Sequence, residues 1–326
     1  MLMSDSWNCK RFLIKRKDLF EALCNSFAKK PIPQHLKPIL ESGIVDNTEL
    51  SADDVVKVKH WWDRGWHPSL DYYLWSRYGH YCDEHDPTKE RRRETIQNYL
   101  KIGWPPPRLM PKGDSSQLPE PQEPLWNATL GERLLQRRSV RKYISDPVSS
   151  AVLSSVLWHG LHETRCFRKR PIEGPTDYLK SMGSAFDFYL VIYDVNNINP
   201  GAYYYDIVDH TLTPIKSGNF RKAMLKILRL MPAPATAMCT LVLVADFAQY
   251  QWRYRHERAL RHLYFESGRI AQKALVTAMQ YNLGVLLTPA QVDSKLIELL
   301  DIDRVRQCPI YTITMGLDER LLTHTK

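Results

Sequence analysis

The chain lacks the long apolar runs that cross membranes. A spanning helix needs about 20 apolar residues in succession, and the clearest apolar run, residues 241–245, is far shorter. Residues 1–17 hold several basic residues but no apolar centre of the kind that a secretory signal has. From these absences we expect a cytoplasmic protein without a membrane segment.

Cysteine is sparse, and its six copies are scattered without a Cys-x-x-Cys pair. Because no export signal accompanies them, we expect free thiols in a reducing compartment and no disulfide framework. The group His80, Cys82 and His85 has residue types found in metal sites, but no second group lies at the spacing of a tetrahedral zinc site. The sequence therefore predicts no metal site.

The glycine signatures of three large enzyme classes are missing. The chain has no Gly-x-Ser-x-Gly, no Walker-type phosphate loop and no Gly-x-Gly-x-x-Gly, so a serine hydrolase, a Walker nucleotidase or a Rossmann dehydrogenase is not indicated. Positive charge is in excess, with 45 Lys and Arg against 36 Asp and Glu and a net charge of +9. Such a surplus suits nucleic acid, an acidic peptide or a phosphorylated cofactor, and charge alone does not choose among them.

Composition divides the 326 residues into three zones. Residues 1–102 hold five of the nine tryptophans, and the spacing of apolar residues predicts helices over residues 15–28 and 90–100. Residues 103–124 hold seven of the 21 prolines, which favours a semi-rigid linker over packed structure. Residues 125–326 alternate helical and strand patterns and predict an α+β domain in which helices cover a sheet.

Helical spacing and strand-forming runs favour a dense succession of elements in the third zone. Helices are predicted over residues 130–137, 257–281 and 293–300 and after Asp146 and Pro147, and strands over residues 188–193, 201–206, 240–246, 285–288 and 309–315, with residues 210–214 closing a hairpin. On the long helix Gly268, Ala271, Leu275 and Ala278 share one face. Small residues there permit close approach of another helix, in the core or at a subunit interface.

An arginine cluster opens the third zone. Arg137, Arg138, Ser139 and Arg141 place three guanidiniums and a hydroxyl within five residues. Arginine supplies fixed, charge-assisted donors, and the serine hydroxyl adds another, so the cluster is suited to bind a phosphate. The alternative is a basic helix end that is exposed to solvent.

A second candidate follows the strongest predicted strand. Tyr254 stands beside Arg253, and a neighbouring cation lowers the pKa of a phenol, so that the phenolate becomes a plausible base. The alternative is structural: Tyr254 packs in the core, and the surrounding arginines pair with Asp246, Glu257 or Glu266.

Several ordered stretches resemble one family, the nitroreductase-fold flavoproteins, and among them the SagB-type dehydrogenases that oxidise azoline rings in thiazole/oxazole-modified peptides. The stretches are Arg-Arg-Ser-Val-Arg at 137–141, Pro-Gly-Ala-Tyr-Tyr-Tyr-Asp at 200–206 with His-Thr-Leu at 210–212, Ala-Asp-Phe at 245–247 with Trp-Arg-Tyr at 252–254, Glu-Ser-Gly-Arg-Ile-Ala-Gln at 266–272, Leu-Gly at 283–284 and Met-Gly at 315–316.

The resemblance implies a nitroreductase-like fold, with a central, mainly antiparallel sheet covered by helices, preceded by a mainly helical N-terminal extension. It implies bound FMN, whose phosphate and ribityl chain are held by the arginine cluster, and a homodimer with the flavin between two subunits. The cofactor contacts that it implies are Arg137, Arg138, Ser139, Arg141, Ser181, Gly183, Glu266, Gln272, Gly284 and Gly316.

By the same resemblance Tyr254 is the catalytic base and Arg253 its electrostatic partner. The family has lysine at the position of Arg253, and arginine keeps its charge, so it can hold a phenolate but cannot exchange a proton near neutrality. The implied reaction is FMN-dependent oxidation of thiazoline or oxazoline to thiazole or oxazole in a ribosomally made peptide. A cyclodehydratase is an implied partner, and nucleic acid is not expected.

Two alternatives remain open. One is a flavin reductase or oxidase of quinones, nitro compounds or another natural-product intermediate. The other is a non-catalytic subunit that keeps the fold and binds a peptide or RNA through its basic surface. The N-terminal zone is open as well, because Trp61, Trp62 and Trp66 suit a peptide-binding or partner-binding surface but equally a small aromatic core.

Overall fold

The structure is a computed structural model, and it divides the chain into two units, Met1–Glu84 and His85–Lys326. It describes residues 2–5, 10–13, 34, 52–76, 87–88, 90–101, 103, 106–124, 129–170 and 185–322. The helix predicted over residues 15–28 and the whole group from His80 to His85 lie outside these ranges. The second unit begins at His85, so the described residues from 87 to 101 are counted with it.

The described residues of the first unit form two paired strands and two helices. They are β1 (Leu2–Asp5) paired antiparallel with β2 (Lys10–Leu13), α1 (Ala52–Asp63) and α2 (His67–Trp75). The ring of Trp61 stacks on Tyr73 with the centroids 5.8 Å apart, and Trp66 packs edge-on against Trp61 at 5.9 Å. Trp66 still exposes 55% of its surface, so these aromatic rings form a small cluster that stays partly open.

An antiparallel sheet of seven strands forms the centre of the second unit. Its strands, in order across the sheet, are β3 (Ser116–Gln117), β6 (Thr211–Ser217), β5 (Gly201–Asp206), β4 (Phe186–Ile192), β7 (Cys239–Asp246), β9 (Gln307–Leu317) and β8 (Leu283–Thr288). Each neighbouring pair runs antiparallel. The predicted α+β class and the mainly antiparallel sheet are therefore confirmed.

Helices cover both faces of this sheet. They are α3 (Glu90–Leu100), α4 (Leu130–Gln136), α5 (Ser150–Gly160), α6 (His162–Arg168), α7 (Arg221–Ile227), α8 (Phe247–Arg253), α9 (Ala259–Met279), α10 (Asp293–Leu300) and α11 (Glu319–Leu322). Helices α5 and α9 pack on one face, and α7 and α10 on the other. With apolar layers on both sides, every residue of β4 and β7 is buried, which explains their continuous apolar sequences.

The small-residue face of α9 is used inside the chain. Ala271 and Ala278 are fully buried in the core. A Cβ added at Gly160 of α5 would lie 3.0 Å from Cα of Ala274, so the two helices are in close contact. Gly268, in contrast, is exposed and has no neighbour within 4 Å. At Ala271, Ala274 and Ala278 the small residues therefore serve the packing of α9 in the core.

Helix α5 begins later than predicted. The sequence favoured a start at Asp146 and Pro147, but Val148 pairs with Val195 in an isolated β-bridge. The helix starts at Ser150, and the Ser149 hydroxyl accepts the N–H of Ala151 as its cap. The serine cap sets the start of the helix here because Val148 is held in its isolated bridge to Val195.

Residues 103–124, which we call the strap, pack along the second unit instead of forming a free spacer. Ser116 and Gln117 form the edge strand β3 beside β6, and Leu118 is buried. The guanidinium of Arg108 pairs with the fully buried carboxylate of Asp187 at 3.0 Å. The strap is thus attached by an ion pair, by strand pairing and by an apolar anchor.

The prolines of the strap take part in this attachment. Proline has no N–H, but its carbonyl oxygen remains an acceptor. The carbonyls of Pro106, Pro107 and Pro119 each accept a hydrogen bond from a side chain of the domain. Local composition favoured a spacer, whereas these long-range donors, which a local pattern does not show, hold the segment in place.

Candidate active site

Helix α4 brings the arginine cluster to one edge of the sheet. Its start is a capping box: the N–H of Glu132 donates to the Thr129 hydroxyl at 3.2 Å, and the N–H of Thr129 donates to the Glu132 carboxylate at 2.6 Å. After the helix ends, the N–H of Val140 donates to the carbonyl of Val285 at 3.1 Å. Residues 137–141 therefore follow the free side of β8.

Two glycines let this segment lie against the sheet. A Cβ at Gly284 would lie 2.7 Å from Cγ2 of Val140, and a Cβ at Gly316 would lie 2.6 Å from Cγ of Tyr143. The Tyr143 hydroxyl lies 2.9 Å from the Val140 carbonyl and 3.0 Å from that of Thr314. Burial raises the pKa of Tyr143, so it keeps its proton. Gly284 thus contacts the arginine segment itself, and Gly316 contacts Tyr143, two residues beyond it.

A crevice opens beside this segment. Arg137, Arg138 and Gly284 line it together with Asp318 and Arg320. Among the described residues, no carboxylate forms an ion pair with Arg137 or Arg138, so their guanidiniums carry uncompensated charge. Two such cations at the mouth of a crevice are a donor set that fits a phosphate.

Ser139 and Arg141 belong to the same segment but do not line the crevice. Both are exposed, Ser139 pairs with Val285 as a parallel bridge, and Arg141 Nη1 lies 3.5 Å from the Ser139 carbonyl. Arg138 Nη1 donates to the carbonyl of Leu135 at 3.1 Å. The structure therefore brings the four residues of the predicted phosphate cluster and Gly284 to one place.

Arg320 is a member of this group that the sequence reasoning missed. It donates to the Asp318 carboxylate through Nε at 3.0 Å and through Nη2 at 2.6 Å, and this pairing raises its pKa. Both residues come directly after β9, far from Arg137 along the chain. The sequence signal was only a basic residue shortly after the last strand.

The short helix α8 positions Tyr254. Asp246, the last residue of β7, caps this helix by accepting the N–H groups of Ala248 at 3.0 Å and Gln249 at 3.2 Å. Tyr254 is the first residue after the helix. The guanidinium carbon of Arg253 lies 4.8 Å from the centre of the Tyr254 ring, so its charge faces the π-surface of the phenol.

A second tyrosine accompanies the first. The rings of Tyr250 and Tyr254 are 4.8 Å apart and inclined by 43°. Burial raises the pKa of Tyr250, and negative charge on Tyr254 or Glu266 raises it further, so Tyr250 keeps its proton near neutrality. Of the carboxylates named by the structural alternative, Asp246 pairs with Arg306 and Glu266 with Arg269.

Glu266 and Gln272, both on α9, lie apart from the crevice. Glu266 accepts Arg269 Nε at 2.9 Å, and Arg269 and Lys273 also pair with Glu163. This network raises the pKa of Arg269. Gln272 is exposed and lines an open hollow on the side of Glu163. Ser181 and Gly183 lie outside the described residues.

The tyrosine-rich stretch at 200–212 has a structural explanation. Tyr205 donates its hydroxyl proton to Nδ1 of His210 at 2.7 Å, and Nε2 of His210 lies 2.7 Å from the Ser154 hydroxyl. The Ser154 hydroxyl in turn donates to the Pro119 carbonyl of the strap. Burial and the charge of Arg165 lower the pKa of His210 to about 4, so the histidine is neutral and joins the strap to the sheet.

Two searches of the described residues gave negative results. No three His, Cys, Asp or Glu side chains lie close enough together to hold a metal ion there. Within the same residues no helix has the length and apolar character needed to cross a bilayer.

Comparison with known proteins places this geometry in context. The family model described as "Nitroreductase family" matches residues 134–317. The trifolitoxin operon protein TfxC of Rhizobium leguminosarum bv. trifolii is 28% identical over 294 residues, which is 86% of this chain and 80% of that protein.

Solved structures are similar as well. One from Anabaena variabilis, provisionally named a nitroreductase, has a TM-score of 0.50 and 21% identity; the match covers 58% of this chain but only 38% of that one. A chain of the E. coli microcin synthetase McbBCD complex with truncated pro-MccB17 bound has a TM-score of 0.45 and 16% identity, over 84% of this chain and all of that chain.

Proposed function

The chain belongs to the nitroreductase family, and from this premise we propose that it is an FMN-dependent dehydrogenase that oxidises thiazoline or oxazoline rings of a ribosomally made peptide to thiazole or oxazole. The observation that carries the proposal is the pair formed by Tyr254 and Arg253, a phenol and a permanent cation in face-to-charge contact at the end of α8. The similarity to a trifolitoxin operon protein supports a role in the biosynthesis of a peptide product.

The residues of the crevice fit the phosphate end of FMN. Arg137, Arg138 and Arg141 would supply charge-assisted donors, Ser139 a hydroxyl, and Arg320 a further guanidinium oriented by its own carboxylate partner. Ser181, Gly183, Glu266 and Gln272 remain proposed contacts of the cofactor, together with Gly284 and Gly316. When bound, FMN supplies the acceptor for a hydride.

The chain's own residues handle the proton. Oxidation of an azoline ring removes one hydride and one proton, and the proton requires a base near the ring carbon. Tyr254 as phenolate takes that proton on its hydroxyl oxygen. Arg253 cannot take a proton, and its guanidinium lies over the face of the Tyr254 ring. Tyr250, which stays protonated, does not compete for this role.

A homodimer is part of the proposal. Leu134 and Leu135 of α4 and Tyr264 and Phe265 of α9 are exposed, with Leu135 at 79% and Phe265 at 73%. Exposed apolar side chains of this size mark contact surfaces in soluble proteins. Sedimentation should therefore give a dimer, and a stable monomer that binds FMN would contradict this element. The peptide substrate and a cyclodehydratase are the proposed partners.

The experiment compares Tyr254→Phe with Tyr250→Phe in FMN-loaded protein, using a synthetic peptide that carries a thiazoline. Removing a general base costs about a hundredfold in rate or more. Tyr254→Phe should keep FMN and lose turnover by at least about that factor, whereas Tyr250→Phe should retain much more activity. Full turnover by Tyr254→Phe contradicts the assignment of the base. A wild-type protein that binds FMN but never oxidises the azoline contradicts the proposed reaction.

A further inference from the structure

The helix that carries Tyr254 is too short to hold its own position. Helix α8 has seven residues, and isolated helices of this length are not stable in water, so tertiary contacts decide where it lies. A general base must sit within hydrogen-bond reach of its proton, and small displacements are costly in rate. The contacts that locate α8 therefore bear directly on Tyr254.

The strap supplies contacts along the side of this helix. The indole N–H of Trp252, a buried residue two positions before Tyr254, donates to the carbonyl of Gly103 at 3.1 Å. The side-chain amide of Gln249 donates to the carbonyl of Pro106. Both contacts join α8 to residues that lie more than a hundred positions earlier in the chain.

The start of the helix is tied to the strap as well. Asp246, which caps α8, is fully buried and receives Arg306 Nε at 2.9 Å and Nη2 at 2.6 Å. The same Nη2 donates to the carbonyl of Pro107 at 2.6 Å. The capping carboxylate, the arginine and the strap thus form one connected polar group.

The segment after the helix is held from the N-terminal side of the strap. Arg255 Nε donates to the carbonyl of Trp252 at 3.2 Å, and its guanidinium carbon lies 4.1 Å above the ring of Tyr99 in α3. Tyr254 is therefore flanked by two residues, Trp252 and Arg255, that both contact residues 99–103.

The strap itself is anchored to the sheet. Arg108 and Arg168 both reach Oδ1 of Asp187 at 3.0 Å, and Asp187 is fully buried at the start of β4. Arg108 comes directly after Pro107, so this ion pair fixes the part of the strap that contacts α8. Loosening the anchor should release the helix even though Arg108 lies on the strap and not on α8.

We propose that Tyr99, Gly103 and residues 106–108 are positioning residues of the active site, which hold α8 and thereby Tyr254. The role of Tyr254 as the base rests on the proposed function, whereas the attachment of α8 to the strap does not. It makes this segment part of the catalytic domain rather than a connection to it. Arg108, Trp252 and Gln249 are the residues that the geometry assigns to this hold.

The test uses the full chain loaded with FMN and compares Arg108→Leu, Arg108→Lys and Lys112→Leu. Lys112 is an exposed residue of the same strap and serves as the matched control. We expect Arg108→Leu to speed amide hydrogen exchange of residues 247–254 by about tenfold and to lower kcat by about tenfold, with KM and FMN affinity nearly unchanged. Arg108→Lys, which keeps the charge against Asp187, should restore most of both.

Trp252→Phe is the second variant, since it keeps an aromatic ring and removes only the N–H donor. This variant should also speed amide hydrogen exchange over residues 247–254, although the ion pair between Arg108 and Asp187 is intact. Unchanged exchange in both Arg108→Leu and Trp252→Phe overturns the inference. If these variants exchange faster but Tyr254→Phe keeps full turnover, the strap holds α8 and Tyr254 is not the base. Failure of the proposed base is therefore distinguishable from failure of this inference.

Discussion

The two parts of the candidate site are held in place by different forces. Residues 137–141, which we call the guanidinium edge, are seated by backbone pairing with β8 and by close packing on Gly284 and Gly316. Helix α8 is located by side-chain hydrogen bonds and ion pairs from the strap. Close packing on glycine leaves no room for an added atom and does not depend on pH. Hydrogen bonds and ion pairs leave room for added volume and respond to changes in charge.

This difference assigns a task to each part. A cofactor site gains from a fixed frame, because guanidiniums that are already in place lose little freedom on binding phosphate. A base that approaches a substrate gains from a support that can be adjusted by polar contacts. The predictions below test the comparison at the edge, at the strap and at the crevice, in order of expected effect.

The largest effect is expected from Gly316→Ala at the guanidinium edge. The new Cβ would lie 2.6 Å from Cγ and 2.8 Å from Cβ of Tyr143. The Tyr143 ring must therefore move out of its packed position. Such overpacking costs about 3 kcal/mol in the free energy of unfolding, measurable by urea denaturation. Adding Tyr143→Ala should make the two effects clearly non-additive, because it removes the clash.

Gly268→Ala is the matched control for this substitution. Gly268 lies in the exposed part of α9, where a Cβ meets nothing within 4 Å. Alanine in a helix is favoured over glycine, so the variant should be more stable by about 0.5–1 kcal/mol. Equal destabilisation of the two variants would show that the close contact at Gly316 has no special weight.

The second prediction concerns acid and the strap. Because the pKa of His210 is about 4 in the fold against about 6.5 when unfolded, the unfolded chain binds the proton first as pH falls. The stability that the neutral histidine contributes is present above about pH 6.5 and is lost as pH falls toward about 4. Between about pH 7 and 5 this loss amounts to about 2 kcal/mol in the free energy of unfolding.

His210→Asn checks this origin, since asparagine accepts the left-handed backbone that His210 adopts at φ 58°. The variant should be less stable at neutral pH, because two buried hydroxyls lose a partner. Its stability should then fall less steeply between about pH 7 and 5 than that of the wild type. An identical slope in both proteins would place the acid sensitivity elsewhere.

The smallest effect is expected at the crevice. Arg320→Ala removes one exposed guanidinium from a proposed phosphate site and should weaken FMN binding about tenfold, or by about 1.4 kcal/mol, as followed by flavin fluorescence. Unfolding stability should be measured alongside, because the substitution also leaves the buried carboxylate of Asp318 without this guanidinium. Arg304→Ala, which removes an exposed arginine outside the crevice, should bind FMN like the wild type. A similar loss in both variants would indicate a nonspecific charge effect.

Much of the fold followed from local pattern. The apolar runs at 188–193 and 240–246 predicted strands that are present as β4 and β7, because a strand covered on both faces has no polar alternation. Residues 90–100 form a helix with the predicted bounds. The start of α5 was misplaced, since the choice between Asp146 and Ser149 depends on a bridge from Val148 to Val195 that the local sequence does not contain.

Only part of the candidate site could be predicted from local sequence pattern. Arg137, Arg138, Ser139 and Arg141 are contiguous, so local reasoning found them as a group. Arg320 escaped it, because only the sheet, through β8 and β9, brings the end of the chain to their crevice. The attachment of Trp252 to Gly103 escaped it for the same reason.

The sequence by itself determined the class of the domain, the order of most of its elements and the residue types that are proposed to bind phosphate and to take up a proton. Apolar periodicity and charge density are local properties, so both can be read directly from the sequence. Only the tertiary structure decided that the proline-rich segment is a support rather than a spacer, and that the two glycines seat the arginine segment. Both decisions depend on contacts between residues far apart in sequence, which no local pattern records.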